Sequence, residues 1–277
     1  MMKRRTLWLF PIMLSAAAML LISSCATLSS SGVGRIKEYC IKSARIPASF
    51  DGCRVAFVSD IHYPSLFTPK RLKRLLDTLE EVQPDFLMLG GDYVTHDDSI
   101  RSLFSALECV QPRYGTYAVL GNHERRNVLL IAQAMGEHGI VLLADSVARL
   151  GADKEPLFIA GIRDSFSCDS VMLQRVNDLE DEGFVILLAH TPDYAERSSV
   201  NADVVLSGHT HGGQVSFFRL YTPVENTQYG NRFLSGRNVT TSGTTVITTN
   251  GVGTSRKKVR FCAPSEVVLL TLKRVVR

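Results

Sequence analysis

Short apolar runs alternate with helix-like patterns through the first half of the chain. Val55–Ser59 and Phe86–Leu89 are compact, largely apolar runs, which is typical of buried strands. Between them, Thr68-Pro69 is a typical helix start, with threonine before the first turn and proline within it. The residues that follow place leucines at helical spacing: Leu72, Leu75, Leu76 and Leu79. The pattern predicts a strand, a helix and a second strand in succession, as in a βαβ unit.

The remaining elements change from mixed to strand-rich along the chain. Helices are predicted over residues 99–110 and 127–138, the second closed by Gly139, with a strand over Thr116–Leu120 between them. An α/β chain with two packed sheets flanked by helices accommodates both halves. The strands predicted beyond residue 141 are Leu157–Ala160, Phe184–Ala189, Val204–Ser207, Gln214–Phe218, Val246–Thr249 and Val267–Leu272.

The N-terminus has the pattern of an export signal. Lys3-Arg4-Arg5 precedes the apolar run Leu7–Ile22, which is shorter than a membrane-spanning helix requires, and Ser23-Ser24-Cys25 follows. Small residues before a cysteine resemble a bacterial lipobox. An uncleaved anchor and a plain signal peptide are the alternatives, and each places the domain on the non-cytoplasmic side of a bacterial cell envelope. We expect a signal peptide over residues 1–24, lipidation at Cys25, a small polar tether over 25–34 and one domain over 35–277.

Composition and charge limit the classes of partner that the chain is expected to bind. The 277 residues are 45% hydrophobic, which is enough for one sizeable core. The formal net charge is +4, and the basic residues of the leader account for most of it, so that the remainder carries +1. A chain this close to neutral has no general attraction for nucleic acid, and we expect none as a partner. Beyond Cys25, no two cysteines have the CxxC spacing of a zinc or redox motif: Cys40, Cys53, Cys109, Cys168 and Cys262.

Residues able to bind metal follow the carboxyl ends of the predicted strands. In open α/β sheets, functional sites collect at these ends, so we expect the loops that follow the strands to converge. Glycines accompany several of these residues and permit the sharp turns that such loops need. The residues, in chain order, are Asp60, His62, Asp92, Asn122, His123, His190, His209 and His211.

The donor types indicate manganese, iron or zinc. Carboxylate and amide oxygens combined with several imidazole nitrogens suit these metals and are too rich in nitrogen for calcium. A carboxylate has two oxygens, so Asp92 is able to bridge two ions about 4 Å apart. We therefore expect two divalent ions per chain, manganese first, with iron, zinc or magnesium as the alternatives.

The motifs together resemble those of the calcineurin-like metallophosphoesterase superfamily. They are, in order, Asp60-x-His62, Gly90-Gly91-Asp92, Gly121-Asn122-His123-Glu124, His190 and Gly208-His209-Thr210-His211. The resemblance implies a four-layer αββα sandwich. It also implies that His123 donates a proton or hydrogen bond to the phosphate or the leaving oxygen, and that Glu124 orients His123. The ligands that it implies are Asp60, His62, Asp92 and His211 for one ion and Asp92, Asn122, His190 and His209 for the other.

The resemblance extends to the YkuE/YaeI branch of that superfamily. It rests on Gly91-Asp92-Tyr93-Val94, Gly212-Gly213-Gln214 and the tail Gly251-x-Gly253 … Arg260-Phe261 … Pro264-x-Glu266. That branch holds exported or membrane-associated phosphodiesterases and LpxG-type UDP-2,3-diacylglucosamine pyrophosphatases. We expect a hydrolase that cleaves a phosphodiester, diphosphate or phosphomonoester by attack of a hydroxide bridging the two ions. The expected substrate is a phosphorylated small molecule or lipid-linked compound of the envelope.

Two other functions stay open on the sequence. One is a UDP-2,3-diacylglucosamine diphosphatase of lipid A synthesis, which conflicts with the export signal unless the N-terminus is an uncleaved anchor with its domain inside the cell. The other is a catalytically silent lipoprotein that binds a phosphorylated ligand. We expect a monomer held at the membrane by its N-terminal lipid or anchor. Candidate substrate contacts are His96, Arg163, Arg256 and Arg260, the last two in a basic cluster with Lys257 and Lys258 for which a solvated loop is the alternative.

Overall fold

The computed structural model describes Ser15 and residues 33–152, 154–167, 169–217 and 221–276. The predicted leader apart from Ser15, the predicted lipidation residue Cys25 and most of the predicted tether lie outside the described residues. In the part of the chain so described, no helix is both long and apolar enough to cross a bilayer. None of the cysteines described forms a disulfide: Cys40, Cys53, Cys109 and Cys262.

The first sheet combines strands from both ends of the chain. Its strand order is β1-β12-β2-β3-β4-β5. Strands β2 to β5 run parallel, whereas β12 is parallel to β1 and antiparallel to β2. The C-terminal strand therefore lies inside this sheet. The bounds are β1 Arg35–Ser43, β2 Arg54–Val58, β3 Phe86–Leu89, β4 Thr116–Ala118, β5 Ile140–Leu142 and β12 Glu266–Arg274.

The second sheet is built from the middle of the chain. Its strand order is β10-β11-β9-β8-β7-β6. The inner strands run parallel, and the edge strands β10 and β6 are antiparallel to their neighbours. The bounds are β6 Ser146–Ala152, β7 Glu155–Gly161, β8 Phe184–Leu188, β9 Val204–Ser207, β10 Gly236–Val239 and β11 Thr245–Thr248.

Helices cover the outer face of each sheet. The helices α1 Pro69–Val82, α2 Ile100–Leu107 and α3 Val128–Glu137 share a core with the first sheet. The helices α4 Ser170–Leu179 and α5 Asp193–Arg197 share another core with the second. A third core lies between the sheets. These four layers confirm the predicted αββα sandwich.

The pleat of β2 shows how the layers are built. Ala56 and Val58 belong to the core beneath the helices, whereas Val55 and Phe57 belong to the core between the sheets. Successive side chains of a strand point to opposite faces, so a strand buried on both faces must be apolar throughout. This is why the sequence pattern of the inner strands is a continuous apolar run rather than an alternation.

Most predicted elements occur with ends that differ by a few residues: β7 and β12 are longer than predicted, and α2 is shorter. Helix α1 begins at Pro69 as predicted, although Thr68 makes no capping hydrogen bond through its side chain. The predicted strand Gln214–Phe218 was wrong over its described part, which is a loop after two left-handed glycines, with only isolated bridges at Val215 and Phe217. Among the elements not predicted are β1, β10 and α4, whose patterns mix polar and apolar residues.

Candidate dinuclear metal centre

The two sheets present the carboxyl ends of their parallel strands at one place. The loops after β2, β3 and β4 in the first sheet meet the loops after β8 and β9 in the second. Every predicted metal ligand lies on one of these loops. Convergence at strand ends is what the parallel topology requires, because these ends share one edge of each sheet.

One group of donors consists of Asp60, His62 and His211. A carboxylate oxygen and two ring nitrogens of these residues lie within 4.8 Å of one another. The Nε2 atoms of His62 and His211 are 3.2 Å apart, and His211 Nε2 is 3.5 Å from Asp60 Oδ1. All three side chains are buried. This group matches three of the four ligands predicted for one ion.

A second group consists of Asp92, His190 and His209, again within 4.8 Å of one another. His190 Nε2 lies 3.5 Å from Asp92 Oδ1 and 3.2 Å from Asn122 Oδ1, so Asn122 adjoins this group. The other carboxylate oxygen of Asp92 is 3.6 Å from His62 Nε2 in the first group. Asp92 therefore stands between the two groups, at the position that the predicted bridging role requires.

Several of the predicted ligands have a backbone conformation that residues other than glycine rarely adopt. Such left-handed conformations cost free energy and persist where neighbouring structure enforces them, which is common at functional sites. Hydrogen bonds between loops enforce them here, since Asp60 N donates to Gly91 O at 2.9 Å and His62 N donates to Asp92 O at 3.1 Å. The values of φ are 58° at Asp60, 53° at His62, 57° at Asp92, 68° at His209 and 53° at His211.

Burial keeps three imidazoles neutral. Desolvation lowers the pKa of His62 to about 4 and the pKa of His209 to about 3. The pKa of His211 falls well below its usual value for the same reason. At pH 7 these rings are uncharged and have a lone pair to offer a cation, which is the state that metal binding needs.

The two buried carboxylates differ in pKa. Burial raises the pKa of Asp60 to about 6. Burial also opposes ionisation of Asp92, but the charge and the hydrogen bond of His190 prevail and lower the pKa of Asp92. The same attraction to Asp92 and Asp60 raises the pKa of His190 against its own burial. Asp92 is thus ionised beside a cationic partner, a role that a metal ion would also fill.

The donor set fits two divalent cations. Within each group, one carboxylate oxygen and two ring nitrogens lie within 4.8 Å of one another, close enough for a single cation to bind all three. The His62 ring has a buried Nδ1 without a hydrogen-bond partner among the described residues, so hydrogen bonding at that atom does not fix its orientation. Oxygen and imidazole donors without thiolate fit manganese, iron or zinc.

The comparison with protein families shows the family of this chain. The model of the family described as calcineurin-like phosphoesterase matches residues 53–213, a stretch that includes every predicted ligand. The chain belongs to this family. As a member, it is a hydrolase that acts on phosphoester bonds, and its histidine and aspartate groups fit the dinuclear metal site that the family uses.

Individual relatives support the branch of this phosphoesterase. The chain is similar to the uncharacterized metallophosphoesterase YkuE of Bacillus subtilis (strain 168), with 30% identity over 243 residues, 85% of this chain and 84% of the relative. It is also similar to the phosphodiesterase YaeI of Escherichia coli (strain K12), with 30% identity over 238 residues, 79% of this chain and 82% of the relative. A solved crystal structure with 15% identity aligns over 71% of this chain and 90% of its own at a TM-score of 0.50, which supports the fold.

The predicted proton donor of the phosphoesterase borders the centre and faces outward. His123 Nε2 is 3.8 Å from Asp92 Oδ2, and 46% of its side chain is exposed. The backbone N–H of His123 donates to Asp92 Oδ1 at 3.0 Å, which fixes its position along the chain. Its ring nitrogen also lies within 4.8 Å of donor atoms of His62 and Asp92, so this exposed imidazole is within reach both of an ion and of a substrate bound at the centre.

Glu124 does not have the contacts that were predicted for it. Its buried carboxylate accepts backbone N–H groups from Asp92 at 2.8 Å, Tyr93 at 2.9 Å and Gly121 at 2.8 Å. Burial raises the pKa of Glu124 to about 7. Both oxygens are occupied by the backbone, so the described contacts of Glu124 join the loops after β3 and β4 rather than orient the His123 ring.

Arg260 is not a substrate contact in this structure, because its guanidinium is buried. Only 3% of the residue is exposed. The guanidinium donates to the carbonyl oxygens of His211 at 3.0 Å, Asn250 at 2.6 Å and Ala263 at 2.9 Å, and it lies 3.4 Å from His211 Nδ1. Arg260 therefore supports the backbone and ring of a predicted ligand from behind.

The other predicted substrate contacts lie outside the donor groups. His96 is exposed and its Nε2 lies 2.9 Å from Ser65 Oγ. Arg163 pairs with Asp145 at 3.0 Å and lines a cavity of about 160 Å³ near the centre. Arg256 lies on an exposed loop with φ of 59°. Of these three, only Arg163 is placed beside residues that border the metal centre.

A groove of about 570 Å³ opens beside His209, and the sequence did not reveal the residue that forms its wall. Phe166 is 38% exposed, and its ring centroid is 4.9 Å from that of His209. The Arg125 guanidinium lies 4.9 Å from the centroid of the same ring. Phe166 follows the carboxyl end of β7, so the strand-end position that drew attention to Arg163 would also have found it.

Proposed function

We propose that this phosphoesterase hydrolyses a phosphodiester of the cell envelope. The observation that carries the proposal is the groove beside His209, which offers room for a second ester group next to the donors of one ion. A monoester would leave this groove without an occupant. The relative YaeI bears the name of a phosphodiesterase, which supports the same choice.

The residues of the centre would bind two ions. Asp60, His62 and His211 would hold one ion and His190, His209 and Asn122 the other, with Asp92 between them. When bound, the two ions would polarise the phosphoryl oxygens and lower the pKa of a bound water. Manganese is the metal proposed, because the donors mix oxygen and imidazole.

His123 would protonate the leaving oxygen. Its imidazole is half exposed and its ring nitrogen lies within 4.8 Å of donor atoms of His62 and Asp92, so it borders the centre on the side that faces solvent. General acids of this kind contribute roughly 10²- to 10⁴-fold to rate. Asp92 Oδ1 would hold the backbone of His123 in place through the 3.0 Å hydrogen bond.

The groove would hold the ester group that is not displaced. Its polar lining includes Asp193, Arg197 and Gln228, and the Phe166 ring forms a flat apolar wall at the end nearest the metal donors. Arg197 Nη2 donates to Ser165 O at 2.9 Å, so this cation is fixed rather than free to swing. An ester group that combines a planar or apolar part with hydrogen-bonding groups fits such a lining.

The test compares two chromogenic esters. The full chain in detergent, with added manganese, would be assayed on bis-p-nitrophenyl phosphate and on p-nitrophenyl phosphate. We expect the diester to turn over faster, and we expect Asp92→Ala to abolish turnover. His138→Ala is the matched control. His138 Nδ1 lies 2.7 Å from Glu108 Oε1, and neither residue belongs to the metal centre, so this substitution should leave turnover unchanged.

The outcomes separate the alternatives. Faster monoester hydrolysis would overturn the diester proposal but keep the phosphoesterase. Two bound metals without turnover of either ester would direct the next assay to UDP-linked lipids, for which a diphosphatase would be active. If the UDP-linked lipids are not hydrolysed either, the remaining function is a catalytically silent protein that binds a phosphorylated ligand. Envelope association rests on the predicted leader, and mass spectrometry that finds an unmodified N-terminus upstream of Cys25 would contradict lipidation.

A further inference from the structure

Two loops of the second sheet carry exposed apolar side chains at one place. Phe217 is 45% exposed, Tyr221 is 63% exposed and Val259 is 55% exposed. The Phe217 ring centroid is 6.1 Å from that of Tyr221 and 5.4 Å from that of Phe261. We call Phe217, Tyr221, Val259 and Phe261 the aromatic tip. Rings packed on one another in solvent are a patch rather than scattered exposed residues.

Backbone hydrogen bonds join the two loops and hold the aromatic tip in shape. Ser216 N donates to Phe261 O at 2.9 Å, and Phe261 N donates to Gln214 O at 2.9 Å. Phe217 N donates to Tyr221 O at 2.8 Å. The exposed rings are therefore presented by ordered backbone, and little ordering entropy remains to be lost when a partner covers them.

A basic cluster adjoins the aromatic tip. Arg256, Lys257 and Lys258 are exposed, and none of them forms an ion pair with a residue that the structure describes. Gln214 ties the cluster to the tip, since its Nε2 donates to Lys257 O at 3.0 Å and its Oε1 accepts the N–H of Ser255 at 2.6 Å. Unpaired cations beside exposed aromatic rings complement a surface that is both anionic and apolar.

The same loops border the metal centre. Arg260 lies within the basic loop and supports His211 through its carbonyl oxygen at 3.0 Å. Thr222 follows Tyr221 of the tip and lines the groove beside His209. A partner seated on the aromatic tip would therefore lie at the entrance of the groove.

We propose that the aromatic tip and the basic cluster form a contact surface for an anionic lipid bilayer. Aromatic side chains favour the boundary between headgroups and acyl chains, and lysine and arginine are attracted to anionic headgroups. A soluble protein partner is the weaker choice, because a headgroup layer supplies anionic groups for the three cations and an apolar region for the rings at the same time. The surface would orient the mouth of the phosphoesterase toward the membrane plane, independently of any N-terminal anchor.

A tryptophan introduced into the tip reports contact with lipid. Trp8 is the single tryptophan of the sequence, so the full chain with Trp8→Phe provides a dark background. Phe217→Trp places an indole in the tip, and Val141→Trp is the matched control, because Val141 is 46% exposed on edge strand β5 of the other sheet. Each protein would be mixed with phosphatidylcholine vesicles that contain or lack phosphatidylglycerol, with brominated lipid as quencher.

We expect a blue shift and quenching for Phe217→Trp with anionic vesicles alone, and neither effect for Val141→Trp. Adding Lys257→Glu and Lys258→Glu should remove the blue shift while metal content and melting temperature stay unchanged. The apolar run Leu7–Ile22 is present in every variant, so it cannot produce a difference between them. Equal responses of the two indoles, or of the two vesicle types, would overturn the proposal. A blue shift that grows with protein concentration without vesicles would instead assign the surface to a second copy of the chain.

Discussion

The Glu124 carboxylate accepts the backbone N–H of Asp92 at 2.8 Å, which joins the residue after the predicted proton donor to the residue between the two metal groups. The same oxygen also accepts from Gly121, and the other oxygen accepts from Tyr93. One buried carboxylate therefore fixes the loop from which Asp92 reaches both groups. The geometry of the centre depends on a residue that donates nothing to the metals.

The first prediction concerns Glu124→Gln. An amide nitrogen cannot accept, so at least one of the three backbone donors would lose its partner, at about 1–3 kcal/mol of unfolding free energy. We expect lower thermal stability together with less than two metals per chain. Metal content by plasma emission checks this. If Glu124 acted only by orienting His123, metal content would be that of the native chain.

The second prediction concerns His123→Ala and the leaving group. Because His123 is placed to protonate the leaving oxygen, its loss should slow esters of poor leaving groups by roughly 10²- to 10⁴-fold. Esters of p-nitrophenol, whose anion leaves without protonation, should be slowed much less. A series of aryl phosphodiesters checks this through the slope of rate against leaving-group pKa. An equal loss across the series would contradict proton donation, and metal content serves as the control.

The third prediction concerns metal removal. Metals that bind the folded chain alone stabilise it by mass action, about 2.7 kcal/mol at one hundred times the dissociation constant. A chelator should therefore lower the melting temperature of the native chain and of His138→Ala. In Asp92→Ala the melting temperature should respond little to either chelator or manganese, because the residue between the two groups is gone. A full manganese response in that variant would show that Asp92 is not a shared ligand.

The fourth prediction compares two glycines. A methyl group on Gly208 would overlap Ser59 Oγ and Asp60 Oδ2, so Gly208→Ala should displace a predicted ligand and lower both metal content and turnover. Gly136 lies in α3, where an added methyl group meets nothing within 4 Å. Gly136→Ala should instead stabilise the chain by about 0.4–1 kcal/mol, since it restricts the unfolded state. Calorimetry of the pair checks both signs, and equal changes would contradict the steric argument.

The fifth prediction concerns the wall of the groove. Aromatic contacts contribute about 0.5–1.5 kcal/mol beyond buried area, so Phe166→Ala should raise KM for an aryl diester roughly 2- to 10-fold. Turnover of the aryl monoester should change less, because the monoester has no second group to place there. Val141→Ala is the control, because Val141 is 46% exposed on edge strand β5 of the first sheet. Equal effects of the two substitutions would argue against a wall for the second ester group.

The sequence was sufficient to predict the layers and the convergence of the predicted ligands, and the reason is local. Inner strands such as β2 are apolar on both faces, and Asp60 and His62 follow β2 directly, so the position of each is set by its own neighbours in the chain. Parallel strands then bring such ends together without further information. The same reasoning failed for Gln214–Phe218, where an apolar pattern is used for an exposed tip rather than for a strand.

The roles of Arg260 and Glu124 could not be predicted from local sequence patterns. Arg260 is buried because carbonyl oxygens from residues 211, 250 and 263 surround it, and no local pattern predicts the contact with His211, which lies 49 residues earlier in the chain. Glu124 was assigned to its neighbour His123, whereas its carboxylate is taken by backbone about thirty residues earlier. Sequence patterns locate residues that meet at strand ends, and they do not show which of them face the substrate.

The position of β12 has a consequence for the order of assembly during synthesis. This last strand lies between β1 and β2, with Cys40 opposite Thr271, so the first and last segments of the domain are neighbours in one sheet. While the ribosome is still adding residues, β1 has no partner and β2 has an open edge. The first sheet therefore cannot close until the residues of β12 have been synthesised. A product truncated before β12 would expose two strand edges to intermolecular pairing.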